Sequence, residues 1–178
     1  EHRVVFVPDS FIGHAATLPQ ILSGCGFRYY LFGRGLPQDP ARPDATRRAF
    51  RWTGPDGSFV IAYLPFGPYS NPPFTREHLV ALSPYRDAAV ADRELALYGT
   101  GDHGGGPRER ELEALERLQE IPGAPSWRFA TAHEFFRDTF TPEAAAELGT
   151  HQGSLRAFAS GALTSQAQAK RWNRRLSE

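Results

Sequence analysis

Apolar positions in this chain come in short runs separated by glycine and proline, and the spacing inside each run predicts its element. Arg3 to Val7 is a β-branched and aromatic stretch closed by Pro8, which cannot donate to a ladder, so a buried strand should end near Val7. Leu18-Pro19-Gln20-Ile21-Leu22, stopped by Gly24 and Gly26, predicts a short helix with proline in its first turn and glycine past its end. Tyr29 to Phe32 predicts a second strand. Phe50-Arg51-Trp52 and Phe59 to Tyr63 flank Gly54-Pro55-Asp56-Gly57, and Asp-Gly supplies the positive φ that a tight hairpin reversal demands. Glu94 to Tyr98 predicts another strand, and Gly99 to Pro107 follows with five glycines in nine residues, too flexible for helix or strand. From Pro107 to Gln119, Leu112, Leu115 and Leu118 recur at three-residue spacing, with Glu113 four residues before Arg117, which predicts an amphipathic helix with a solvated face. Arg128-Phe129-Ala130 is a last candidate strand, and Thr131 with Glu134 forms a capping box for a helix carrying Phe135 and Phe136.

Strands separated by helices imply an α/β fold with a largely parallel sheet, open or closed into a barrel. In such folds the reactive groups gather where strands end and loops begin. Asp9 and Asp102 both hold that place, each just after a strand-like run. Paired carboxylates at a pocket mouth are what glycoside cleavage needs, one to attack or stabilise the anomeric carbon and one to protonate the leaving oxygen.

Composition narrows the partners. Lys and Arg number 20 against 20 Asp and Glu, so the formal net charge is zero, which removes the electrostatic case for a nucleic-acid or membrane-surface partner. Hydrophobic residues at 40% and aromatics at 12% argue for a packed core rather than disorder. No apolar run is long enough to span a membrane, and the first residues lack the pattern of an export signal. The chain opens on Glu1 and enters a strand almost at once, which reads as an excerpt from a longer polypeptide. The single cysteine, Cys25, excludes an internal disulfide and reads as a small buried apolar residue. Trp52, Tyr63 and Tyr69 offer either a sugar-stacking platform or, more commonly for hairpin aromatics, core. His2, His78 and His133 have no partner at ligand spacing and read as surface residues. The basic stretch Lys170 to Arg175 reads as a solvated helix face.

Pro8-Asp9-Ser10-Phe11, then Gly13-His14 and Leu18-Pro19-Gln20-Ile21, resembles the nucleophile segment of glycoside hydrolase family 38, the α-mannosidases. Phe50-Arg51-Trp52 with Gly54-Pro55-Asp56-Gly57-Ser58 is similar to that family's next landmark. Tyr98-Gly99-Thr100-Gly101-Asp102-His103-Gly104-Gly105-Gly106-Pro107 is similar to the glycine-rich loop of its bacterial and cytosolic-type members. Thr131 to Phe136 and Lys170-Arg171-Trp172-Asn173-Arg174-Arg175 resemble the exit from the catalytic domain and the entry into a helical middle domain.

The resemblance implies a retaining, exo-acting α-mannosidase with a (β/α)7 barrel and a divalent ion, usually zinc, that holds the mannose hydroxyls. Residues 1–138 would be the C-terminal portion of the catalytic domain, and 139–178 a linker with the start of a helical bundle. Asp9 would be the nucleophile and a metal ligand, and Asp102 the general acid/base, with His103 beside it able to share or take that role. His103 would line the sugar site, and His14 would either line it or cap or pack against the start of the following helix. The substrate would be a terminal α-mannoside or a mannose-containing oligosaccharide, the setting cytoplasmic, and an oligomer is compatible with open strand edges. The chain departs from the family pattern in several places. It holds no His-x-Asp metal motif upstream of Asp9, and Ile12 adds one residue between Phe11 and Gly13. Arg156-Ala157-Phe158-Ala159 stands where a ligating histidine is expected, with His151 the nearest imidazole, and a closed β/α barrel needs ~250 residues against the 178 here. Two readings follow: a glycosidase segment whose remaining metal ligands lie outside the chain, or a non-catalytic remnant with weak or no carbohydrate binding. The first requires the Asp9 carboxylate to face a cavity; turned to solvent, or locked in an ion pair far from one, it would leave ancestry alone.

Overall fold

The computed structural model describes residues 3–9, 13–35, 48–65, 93–99, 105–120, 122, 126–155 and 165–177. In chain order these hold β1 (Val4–Val7), α1 (Leu18–Gly24), β2 (Tyr29–Phe32), β3 (Ala49–Thr53), β4 (Phe59–Tyr63), α2 (Glu109–Gln119), α3 (Ala132–Thr139), α4 (Pro142–Ala146), β5 (Thr150–Gln152) and α5 (Ala167–Ser177). The strands form one five-stranded sheet in the order β1-β2-β4-β3-β5. β1 runs parallel to β2, β2 to β4, and β3 to β5; the β3–β4 hairpin supplies the antiparallel pair, turned by Gly57 at φ 83°. The sheet is therefore mixed, and no pairing joins β1 to β5 among the described residues. This is a mixed α/β fold in which α1 connects β1 to β2 and, among the described residues, the other helices come after β4.

Side chains of successive strand residues point to opposite faces, and here both faces are covered. Tyr30, Phe32, Phe50, Trp52, Val60 and Ala62 form one core with Leu22 of α1 and Leu155. Leu31, Ala49, Ile61 and Tyr63 form the other with Phe135, Phe136 and Phe140. Phe136 stacks on Tyr29 at 4.7 Å between centroids, and Phe135 meets Tyr63 at 4.9 Å. Trp52 and Tyr63 are fully buried, so both are core rather than sugar platform; Tyr69 lies outside the described residues.

The α3 capping box forms as expected, with Thr131 Oγ1 accepting from the Glu134 N–H and the Glu134 carboxylate accepting from the Thr131 N–H. The Glu113–Arg117 pair on α2 forms at 3.2 Å. All of α5 is exposed, including the basic stretch.

Four expectations need correction. Glu94 to Tyr98 is not a strand but holds a single bridge residue, Ala96, because side chains rather than a ladder tie it to the sheet. Buried Arg48 grips both Glu94 oxygens at 2.9 and 2.8 Å and donates from Nε to the Leu64 carbonyl, while the Tyr63 hydroxyl donates to Glu94. Burial and the neighbouring Glu94 charge push the Tyr63 phenol well above its usual range, keeping it a donor. Arg128 to Ala130 is likewise irregular: Arg128 reaches Asp138 at 2.5 Å, and Phe129 faces solvent. Hydrogen bonds from Arg137 and then Arg128 hold the Asp138 carboxyl down to about 2. Cys25 is exposed, because it caps the C-terminus of α1 with its N–H on the Ile21 and Leu22 carbonyls. His133 is half-buried with Nδ1 enclosed, not a surface residue, whereas His2 and His78 lie outside the described residues.

Glu94→Gln would remove the carboxylate that grips the buried Arg48 guanidinium. Breaking a fully buried pair costs about 3–5 kcal/mol, and since Glu94 is partly exposed the expected loss is ~2 kcal/mol. Urea unfolding of the variant beside the wild type measures it; an unchanged midpoint would show that the latch carries no stability.

Candidate active site at the strand ends

Parallel pairing carries β1, β2 and β4 out of the sheet on one side, so the residues just past Val7, Phe32 and Tyr63 share that end. Pro8 and Asp9 follow β1; Gly33 and Arg34 follow β2. The last bond between the two strands runs from the Gly33 N–H to the Val7 carbonyl at 3.0 Å. A Cβ on Gly33 would lie 1.9 Å from the Pro8 carbonyl oxygen, so only glycine lets the two strand exits approach this closely.

That approach sets the charged pair of the site. Arg34 Nε donates to Asp9 Oδ1 at 2.7 Å, with 25% of the arginine side chain and 30% of the aspartate side chain exposed. A guanidinium at this distance donates a charge-assisted hydrogen bond to the carboxylate and fixes its orientation. Asp9 is thus ion-paired and partly solvated, at the sheet end from which the loops after β1, β2 and β4 leave.

His14 lies beneath the pair, 6% exposed, rather than opening a nitrogen to solvent. Its Nε2 is 3.1 Å from the Arg34 carbonyl, which can only accept, so Nε2 carries the proton; Nδ1 then accepts from the Tyr30 hydroxyl at 2.6 Å. The ring packs edge-on against Tyr30, Phe32 and Trp52, and its backbone exchanges two hydrogen bonds with Leu155. Burial lowers the His14 pKa below its ordinary 6.5 despite the Arg34 hydrogen bond, which favours the neutral ring. His151 lies on β5 opposite Trp52, with Nε2 bonded to the Ser154 carbonyl at 3.3 Å. Asp102, His103 and the extra Ile12 lie outside the described residues.

The described residues do not fit a zinc site. No group of three or more His, Cys, Asp or Glu side chains is arranged to hold a metal ion among them, and the cation beside Asp9 is Arg34. Sequence reading missed Arg34, although its signal was present: a charged residue two places past a strand, in the position matching Asp9 on the neighbouring strand.

The family model "Glycosyl hydrolases family 38 N-terminal domain" matches residues 1–154. The chain is 33% identical over 171 residues to "Alpha-mannosidase 2C1" of Homo sapiens, covering 95% of this chain and 16% of that protein. It is 30% identical over 179 residues to "Alpha-mannosidase G" of Dictyostelium discoideum, covering 95% of this chain and 15% of that one. The chain therefore spans about one sixth of the length of these relatives. Among solved structures, an alpha-mannosidase from Enterococcus faecalis V583 shares the fold with a TM-score of 0.64 at 22% identity, over 86% of this chain and 18% of that one. Among the described residues no helix is long and apolar enough to cross a membrane.

Two outcomes follow from the geometry. Gly33→Ala forces the Pro8 carbonyl aside and should cost about 1–3 kcal/mol, read as a lowered thermal midpoint; an unchanged midpoint would mean that the exits tolerate separation. Because the His14 pKa is lower folded than unfolded, the unfolded chain binds the extra proton first, so the stabilising contribution present above about pH 6.5 is lost as pH falls below it. Melting midpoints from pH 7.5 to 5 should fall more steeply for the wild type than for His14→Gln, and parallel curves would contradict the buried neutral ring.

Proposed function

We propose that this chain, which belongs to glycosyl hydrolases family 38, provides the nucleophile segment of a retaining α-mannosidase. What supports this reading is Asp9 at the exit of the first strand, oriented by Arg34 yet with 30% of its side chain exposed, within the span that the family model matches. In the proposed reaction an Asp9 oxygen attacks C1 of a terminal α-mannoside as the glycosidic bond breaks, giving a covalent mannosyl ester. Asp102, or His103 beside it, protonates the departing oxygen and then takes a proton from the water that cleaves the ester. Two displacements at one carbon return the original anomer.

The Arg34 cation has two opposed effects. It aims the Asp9 carboxylate, and it withdraws electron density from the attacking oxygen. Aim matters more, because an oxygen held off the line of attack cannot displace. Zinc, implied by resemblance, would find Asp9 as a ligand, but one described carboxylate does not make a zinc set, and no step here runs through a metal. The same observation favours a second reading, in which the segment keeps the fold and binds sugar weakly or not at all.

Asp9→Ala should reduce hydrolysis of a chromogenic α-mannoside by at least about a thousandfold. Added azide, small enough to enter the gap, should restore turnover and give a mannosyl azide of inverted configuration. Undiminished activity in Asp9→Ala would refute the nucleophile assignment, and no turnover by the wild type would favour the non-catalytic reading. Loss of Asp102 should spare substrates whose leaving groups need little protonation.

A further inference from the structure

A hydrogen-bonded chain runs from the core to Asp9: Tyr30 hydroxyl to His14 Nδ1 at 2.6 Å, His14 Nε2 to the Arg34 carbonyl at 3.1 Å, and Arg34 Nε to Asp9 Oδ1 at 2.7 Å. We infer that His14, oriented by Tyr30, is a positioning residue that aims the Asp9 carboxylate through the main chain of Arg34. The inference rests on the reading of Asp9 as nucleophile.

Arg34 sits where the chain leaves the sheet. The residue before it makes the last bond to β1, and the residue after it, Gly35, turns the backbone with φ 89°. Arg34 thus lies just past the last β1–β2 bond, and the His14 imidazole hydrogen-bonds its carbonyl. His14 suits this task because it is itself fixed: Leu155 grips its backbone, three aromatic rings enclose it, and the Tyr30 proton on Nδ1 selects the tautomer that donates from Nε2. Tyr30 is buried, and burial raises its phenol pKa, so its proton stays in place. A guanidinium swings on a long, flexible stem, so a fixed backbone origin decides where its Nε can reach. A misplacement of ~1 Å at a reacting group can cost about a hundredfold in rate.

His14→Phe retains the ring packing and removes both hydrogen bonds, whereas His14→Gln retains a donor near the Nε2 position. In the enzyme, His14→Phe should lower kcat at least tenfold with KM little changed, and His14→Gln should stay within threefold of wild type. In an Arg34→Met background His14→Phe should add nothing further, because the path to Asp9 is already cut. In the 178-residue chain, NMR should show exchange of the Arg34 Nε proton at least tenfold faster in His14→Phe and unchanged in His14→Gln. If His14→Phe does not fold, Tyr30→Phe removes one hydroxyl and should produce a mixed His14 tautomer with a partly exposed Arg34 Nε proton. Unchanged exchange in the folded variant, or additive losses in the double variant, would overturn the inference. Absence of turnover in the wild type would sink the mannosidase reading and leave the exchange measurement to decide the positioning role.

Discussion

The close backbone contact between Pro8 and Gly33 governs what surrounds Asp9. Parallel strands bring their C-terminal ends to one side, but side chains usually keep the departing segments apart. At Gly33 no side chain intervenes, and the Pro8 carbonyl occupies the space a Cβ would need. The next residue on each strand then meets its neighbour, and they carry opposite charges. Without the contact, Arg34 and Asp9 would be two half-exposed groups, whose pairing is worth little against side-chain entropy. With it, the pair forms where the two strand exits are already brought together at Gly33.

Much of the scaffold was readable from local chemistry. Asp56-Gly57 marked the hairpin, Thr131 and Glu134 marked the start of α3, and Leu18-Pro19 with Gly24 marked α1, because each signal acts within a few residues of its own position. The two misplaced strands share one cause. Glu94 to Tyr98 has strand-like composition, yet Arg48, separated by 46 positions, fixes it through side-chain bonds. Arg128 to Ala130 has it as well, yet Asp138 draws Arg128 along α3. Short apolar and aromatic runs report only a preference for a half-buried surface, and the partner that decides the outcome lies elsewhere in the chain.

The candidate site divides along the same line. Asp9 could be named from its motif, since the surrounding residues are contiguous. Arg34 could be found only by combining two local readings: parallel pairing of β1 with β2, and equal distance of Asp9 and Arg34 beyond the strand ends. His14 shows a different limit. Its position after the nucleophile motif suggested contact with sugar, but sequence does not reveal that Tyr30, 16 residues on, meets one ring nitrogen while Arg34 meets the other. Both ring nitrogens are engaged within the chain, so the ring acts as a structural link in the described arrangement.

The cation beside Asp9 bears on how much a metal would have to add. A nucleophilic carboxylate needs to be ionised, immobilised and accessible. On the proposed reading Arg34 helps immobilise Asp9 by donating a hydrogen bond, and a divalent ion, were one bound, would add stronger charge and a grip on sugar hydroxyls. Two cations on one carboxylate repel each other, so a metal bound to Asp9 would have to accept the guanidinium nearby or displace it. The Arg34–Asp9 geometry therefore constrains metal approach to Asp9, whichever residues complete a binding set.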